Sequence, residues 1–202
     1  DDLADGPALA LGVSETTLLT LTSLYAAFLN EGISHEPHGL LQVQLRGEAV
    51  PILQASAQEG WQAMDTQTAR RMVWMMTQVM EAEYGTGGRA RLEGIPAAGK
   101  TGTTQAARDA WFIGFTGDYV AGVWMGYDDN TPLTGVTGGG LPAEIWKRMM
   151  QKIHADGVAS PLPIWAPEDR FLRVRVPGVG RLQTGEEGEG LIESILRGLF
   201  AN

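Results

Sequence analysis

Leu18, Leu21, Leu24, Tyr25, Phe28 and Leu29 recur at three- and four-residue spacing until Gly32 interrupts them. That period lines apolar side chains along one side of a helix, and the preceding Ser14-Glu15-Thr16-Thr17 offers a Ser or Thr cap. A buried amphipathic helix is predicted. From Ile33 to Gln54 the pattern changes to a hairpin: Leu41, Val43 and Leu45 alternate, Arg46-Gly47-Glu48 turns, and Val50, Ile52 and Leu53 return. It reads as a peripheral element. Asp65 or Thr66 then caps a second helix through about Glu83, with Met72, Val73, Met76, Val79 and Met80 on one face and Gly85, Gly87 and Gly88 ending it.

Beyond this helix the period shortens. Ala97 to Thr104, Ala110 to Thr116 and Tyr119 to Tyr127 are separated by short polar or Gly-Asp turns, which predicts an antiparallel meander with the nearly all-apolar third strand in its interior. Gly138-Gly139-Gly140 closes a loop, and Leu141-Pro142 starts a helix whose buried face is Ile145, Trp146, Met149, Met150 and Ile153. This helix should pack back on the sheet. Pro161, Pro163, Pro167 and Pro177 punctuate a tail with one clear strand, Phe171 to Val176, and a terminal apolar segment, Leu191 to Phe200. The stretch from Asp156 to Pro167 is the best linker candidate.

Composition narrows the function classes. With 202 residues and an ordinary apolar fraction of 44% the chain can bury one core, with or without a small appendage. A net charge of −9 argues against nucleic acid as a partner, because counterion release needs clustered Lys and Arg. The acids gather near the ends, at Asp1, Asp2 and Asp5 and at Glu186, Glu187, Glu189 and Glu193, as solvated faces. Absence of cysteine removes disulfides, Cys-ligated zinc and a thiol nucleophile. No stretch is long and apolar enough to span a bilayer, and no signal pattern is present, so any anchor is expected outside these residues.

Candidate chemistry concentrates at Lys100-Thr101-Gly102-Thr103-Thr104. The segment offers a cation, bare backbone and hydroxyls, which suits an anionic or carbonyl substrate. It also completes Gly94-Ile95-Pro96-Ala97-Ala98-Gly99-Lys100-Thr101, a letter-for-letter match to the phosphate-loop pattern, with Asp128 at the end of an apolar strand as a possible magnesium partner. Such a loop should leave a buried strand and open a helix; Arg89 to Glu93 is a poor strand and Gly102-Thr103-Thr104 a poor first helical turn. The other reading keeps Lys100 on a strand, where Gly102 permits close approach and a peptide can lie alongside as an added strand.

Ala98 to Thr104, Asp109-Ala110-Trp111-Phe112-Ile113-Gly114-Phe115, Gly122-Val123-Trp124-Met125-Gly126-Tyr127-Asp128-Asp129 and Gly138-Gly139-Gly140-Leu141-Pro142-Ala143-Glu144-Ile145-Trp146 together resemble the C-terminal half of the transpeptidase domain of class A penicillin-binding proteins. Leu9 to Gly32 and Gly85-Thr86-Gly87 are similar to segments that precede the lysine strand in that family. The resemblance runs from about Leu9 to Lys152. It implies an α+β fold, an antiparallel sheet flanked by helices, of which this is the C-terminal portion: residues 1–155 in the domain, residues 156–202 as linker and extension. It also implies a serine D,D-transpeptidase that cross-links peptidoglycan stem peptides and reacts with β-lactams through SxxK, SxN and KTG motifs. Lys100 would be the KTG lysine, with a catalytic role. Thr101, Gly102 and Thr103 would bind substrate, Thr101 and Thr103 through the carboxylate, and the Thr103 N–H would supply half of an oxyanion hole.

The other two motifs are absent. Ser14, Ser23, Ser34, Ser56, Ser160 and Ser194 are followed three places on by Thr17, Ala26, Pro37, Glu59, Pro163 and Arg197, and none has Asn two places on. In the family these motifs lie upstream, so the chain is expected to be inactive alone, and to associate with the missing half or with itself through open strand edges. The complete protein would carry an upstream glycosyltransferase and a membrane anchor, and would work at the periplasmic face of the cytoplasmic membrane. Two alternatives stay open: a non-catalytic, degenerate module binding peptide or a cell-wall partner, and a nucleotide-binding protein. No cofactor or metal is expected. His35 and His38 flank a proline without further clustered ligands, and Asp128-Asp129-Asn130 is read as a turn. Trp111, Trp124 and Trp146 are read as packing anchors, and Gly138 to Gly140 as a tight connection.

Overall fold

The computed structural model describes Gly12, residues 14–54 and residues 59–166. The predicted segments at Leu9, Phe171 to Val176 and Leu191 to Phe200 lie outside the described residues. Thr17 caps α1 (Leu18–Leu29), its Oγ1 accepting from the Thr20 N–H at 3.1 Å. The helix is not buried as its spacing predicted. Only Ala27 is buried, while Leu18, Leu19 and Leu24 are 36, 64 and 52% exposed. Apolar residues occupy more of its circumference than one sheet face can cover, so one stripe packs and the remainder faces outward.

Short strands follow. β1 (Ile33–Ser34) pairs antiparallel with β4 (Trp61–Gln62), and β2 (Gln42–Val43) with β3 (Leu53–Gln54) in the predicted peripheral hairpin. Asp65 caps α2 (Thr66–Glu81), accepting from the Thr68 N–H at 2.9 Å and the Thr68 hydroxyl at 2.6 Å. Ala69, Val73, Met76 and Met80 form its buried stripe.

The main sheet is a meander of β5 (Ala98–Thr103), β6 (Asp109–Phe115) and β7 (Val120–Gly126), in that order. Register places Ala98 opposite Phe115, Thr101 opposite Phe112 and Trp111 opposite Trp124. Among the described residues β6 is therefore the interior strand, with Ala110 and residues 112–115 buried. β7, predicted for the interior, pairs on one side only. A meander places its middle segment in the middle, and helices on both faces of β7 account for its apolar composition. α1 touches it from one side and α3 (Leu141–Ile153) from the other.

Alternation along β6 sends Phe112 and Phe115 to opposite faces, and two cores form accordingly. Phe115 and Ala98 pack with Val73 and Met76 of α2 and are flanked by Tyr25, Phe28 and Leu29 of α1. Phe112 packs with Ala143, Trp146 and Met150 of α3 and with Met80 from the end of α2. Trp146 is the anchor of this second core: fully buried, it donates Nε1–H to the Gly114 carbonyl at 3.1 Å and meets the Phe112 ring edge-on at 5.4 Å. The buried stripe of α3 is Pro142, Ala143, Trp146 and Met150; Ile145 and Ile153, predicted within it, are 41 and 44% exposed. The large Trp146 centres the helix on the sheet and rolls both isoleucines outward.

After α3 the chain runs without regular structure through residue 166. The Ser160 N–H donates to Asp118 Oδ2 at 2.8 Å, Leu162 is buried, and the Arg71 guanidinium lies 4.6 Å from the Trp165 ring centre. These contacts seat the stretch along α2 and the β6–β7 turn.

Trp146→Ala should lower unfolding free energy by about 3–5 kcal/mol, read from a urea titration, since it removes a fully buried indole and its hydrogen bond. Asp65 supplies a pH-dependent cap. Its hydrogen bonds with Thr68 hold the carboxyl below the ordinary aspartate range, so the stabilisation is present above the unfolded-state pKa and is lost as pH falls through the folded value. The stability gap between wild type and Asp65→Ala should accordingly narrow on acidification; a gap constant with pH would refute the cap's ionic character.

Candidate active site

β5 pairs with β6 along one side, and no strand covers its other side among the described residues. The Thr104 N–H reaches across to the Asp109 carbonyl at 3.1 Å. In an antiparallel pair, residues alternate between turning both backbone groups to the neighbour and turning both away, so Thr101 and Thr103 direct N–H and C=O to the open edge. Lys100 is exposed, and its Nζ donates to the Thr101 carbonyl oxygen at 2.6 Å, which brings the ammonium to that edge.

Side chains alternate as well. Lys100 stands on the face covered by α1 and α2, where it borders an apolar recess of 420 Å³ lined by Leu21, Leu24, Tyr25, Phe28, Met72 and Met76. Thr101 and Thr103 stand on the opposite face, in an open polar groove of 630 Å³ shared with Thr86, Arg89, Thr137 and Glu144. One strand thus walls two recesses of contrasting polarity. The predicted residues meet only at the backbone edge, not in a single cleft.

The polar groove owes its shape to the glycine loop before α3. The Gly138 N–H donates to Thr103 Oγ1 at 3.0 Å, and a Cβ at Gly138 would overlap the carbonyl oxygens of Gly102 and Trp111. At Gly139 a Cβ would overlap the Thr86 carbonyl oxygen. The glycines read from sequence as a tight connection therefore also lay backbone directly against β5. Thr86 Oγ1 lies 2.7 Å from Thr101 Oγ1. Sequence reasoning noted Gly85-Thr86-Gly87 as a family segment without giving its hydroxyl a role, and it missed the Gly138 donor.

On the Lys100 face, Trp111 and Trp124 pack at a tilt with ring centres 6.1 Å apart, and Trp124 Nε1–H donates to Asp109 Oδ1 at 3.0 Å. Neither is buried, so of the tryptophans read as packing anchors only Trp146 is a core residue. The phosphate-loop reading fails on structure: Ala98 to Thr101 lie within a strand, and the chain continues through a short 3-10 turn at Gln105–Ala107 into β6 instead of opening a helix. His35 and His38 are exposed. Asp129 Oδ1 accepts from the Thr131 N–H at 3.0 Å, which closes the turn and holds its carboxyl below the ordinary range. Among the described residues no cluster could hold a metal ion, and no helix is long and apolar enough to cross a membrane.

Residues 5–151 match the family model described as penicillin binding protein transpeptidase domain. The chain belongs to this family. It is 34% identical over 151 residues to penicillin-binding protein 1A of Neisseria meningitidis serogroup B, covering 71% of this chain and 18% of that protein. It is 35% identical over 166 residues to penicillin-binding protein 1A of Aquifex aeolicus, covering 82 and 20%. The chain thus spans about a fifth of these relatives' length. Among solved structures, penicillin-binding protein 1A from Haemophilus influenzae superposes with a TM-score of 0.67 at 23% identity, over 77% of this chain and 29% of that one. The D,D-transpeptidase domain of a peptidoglycan glycosyltransferase from Eggerthella lenta superposes at 0.56 with 27% identity, over 70 and 33%. The fold is the α+β arrangement of penicillin-binding transpeptidase domains, with helices on both faces of the antiparallel sheet.

Gly138→Ala must push the loop away from β5 and should cost about 1–3 kcal/mol of stability, the range of an overpacked contact. Gly39→Ala, whose new methyl meets nothing within 4 Å, is the control. Equal urea midpoints for the two variants would contradict the close approach.

Proposed function

We propose that the chain is the C-terminal portion of a serine D,D-transpeptidase that cross-links peptidoglycan stem peptides and is acylated by β-lactams. The observation that carries the reading is the open edge of β5, which presents the Lys100 ammonium together with outward backbone groups of Thr101 and Thr103. A stem peptide lies along this edge as an added strand, its carboxylate on the hydroxyls of Thr101 and Thr103, with Gly102 allowing close approach. A serine supplied by the remainder of the domain attacks the peptide carbonyl and the terminal D-alanine leaves. The Thr103 N–H donates to the oxyanion, and Lys100 holds the proton-relay groups and attracts the anionic substrate.

The apolar recess beside Lys100 and the exposed leucines of α1 receive the part of the domain that carries that serine. The complete protein is bifunctional, with a glycosyltransferase upstream and a membrane anchor, and acts at the outer face of the bacterial cytoplasmic membrane.

Incubation with a fluorescent penicillin followed by denaturing electrophoresis tests the assignment. The complete enzyme should label and this chain alone should not. Lys100→Ala in the complete enzyme should slow labelling about 100-fold, the scale of losing one electrostatic group at a reacting centre. A covalent band on the isolated chain would place the nucleophile within these residues and overturn the division of the site.

A further inference from the structure

The hydroxyls of Thr101 and Thr103 are both approached from behind. An amide N–H can only donate, so the 3.0 Å bond from Gly138 fills acceptor capacity on Thr103 Oγ1 and leaves the hydroxyl proton for another acceptor. At Thr101 the neighbour is the Thr86 hydroxyl at 2.7 Å, where either oxygen can supply the proton. The direction of that one bond decides what Thr101 offers to the groove. If Thr86 donates, Thr101 points its own proton outward, and the groove presents two donors side by side.

The glycines flanking Thr86 are closely packed, and their N–H groups bond back to the Ala82 and Val79 carbonyls. A Cβ at Gly85 would lie 2.5 Å from the Val79 carbonyl oxygen, and one at Gly87 would crowd both Phe112 and Val79 at 3.2 Å. Across the groove, Gly139 leaves no room for a side chain against the Thr86 carbonyl. Glu144, the lining carboxylate on the first turn of α3, is tied to Arg148 one turn on at 2.5 Å.

We propose that Thr86 is a positioning residue that donates to Thr101 Oγ1, so that Thr101 and Thr103 together form a two-donor clamp for a ligand carboxylate. The proposal rests on the reading of β5 as the substrate-binding wall of a transpeptidase. A carboxylate is acceptor-only and bears two oxygens, which matches paired hydroxyl donors and disfavours an amide or ester at the same place. The relay Thr86 O–H to Thr101 O–H to carboxylate also polarises each successive bond.

The test is acylation of the complete enzyme by a penicillin and by its carboxylate methyl ester, with melting temperatures recorded for each variant. Thr86→Val should weaken the free acid relative to the ester by about three- to ten-fold, the range of one hydrogen bond, with the loss falling mainly on the half-saturating concentration. Thr86→Ser, which restores a hydroxyl, should recover the preference. Thr101→Val should reduce the preference for the acid by about ten-fold or more. Loss of preference in Thr101→Val but not in Thr86→Val would overturn the positioning role and leave the site assignment standing. Retention of the preference in both would overturn the assignment of the β5 threonines itself. Equal weakening of acid and ester by Thr86→Val would show that Thr86 acts only as a structural residue.

Discussion

The register of β5 on β6 is the constraint on which the rest of the molecule depends. Thr101 stands opposite Phe112 and Lys100 opposite Ile113, so the pairing that buries Phe112 against Trp146 also decides which recess each polar residue of β5 enters. Slippage by one residue would exchange the faces, sending the lysine toward α3 and the threonines toward α1 and α2. Two independent cores resist it. Phe115 is locked among Val73 and Met76 on one face while Phe112 is locked against Trp146 on the other, and both phenylalanines sit on β6.

Surrounding elements then shape what the strand can offer. The glycine loop before α3 approaches so closely that backbone, not side chain, forms the back wall of the polar groove. On the opposite face the lining is methionine and aromatic, with the Lys100 ammonium reaching only the rim. The chain spans about a fifth of the length of these relatives, and among the described residues the outward leucines of α1 and one side of β7 are left without a covering element.

Much of the architecture was legible from local pattern. The Thr17 and Asp65 caps, the peripheral hairpin, the meander and the Pro-initiated α3 all follow from short-range preferences that act within one element. Burial was read less well. Periodicity identifies an apolar stripe but not its cover, which is why α1 looked buried, and why Ile145 and Ile153 were assigned to a face that the bulk of Trp146 takes up. Trp111 and Trp124 were likewise read as packing anchors because they lie in the family-like segments, whereas their alternation places them on the Lys100 face at a partly open surface.

The sequence alone determined the element types, the family resemblance and the Lys100 to Thr103 segment, because helix period, strand alternation and a contiguous motif are properties of neighbouring residues. It also showed that no serine stands in the family's nucleophile pattern. Strand alternation already turns Lys100 away from Thr101 and Thr103; only the tertiary structure decided which recess each of them meets, that β6 and not β7 is the interior strand among the described residues, and that Thr86 and the Gly138 N–H stand behind the Thr101 and Thr103 hydroxyls. Those contacts join residues 15 and 35 positions apart, and such distances are closed by packing of whole elements, which no local pattern encodes.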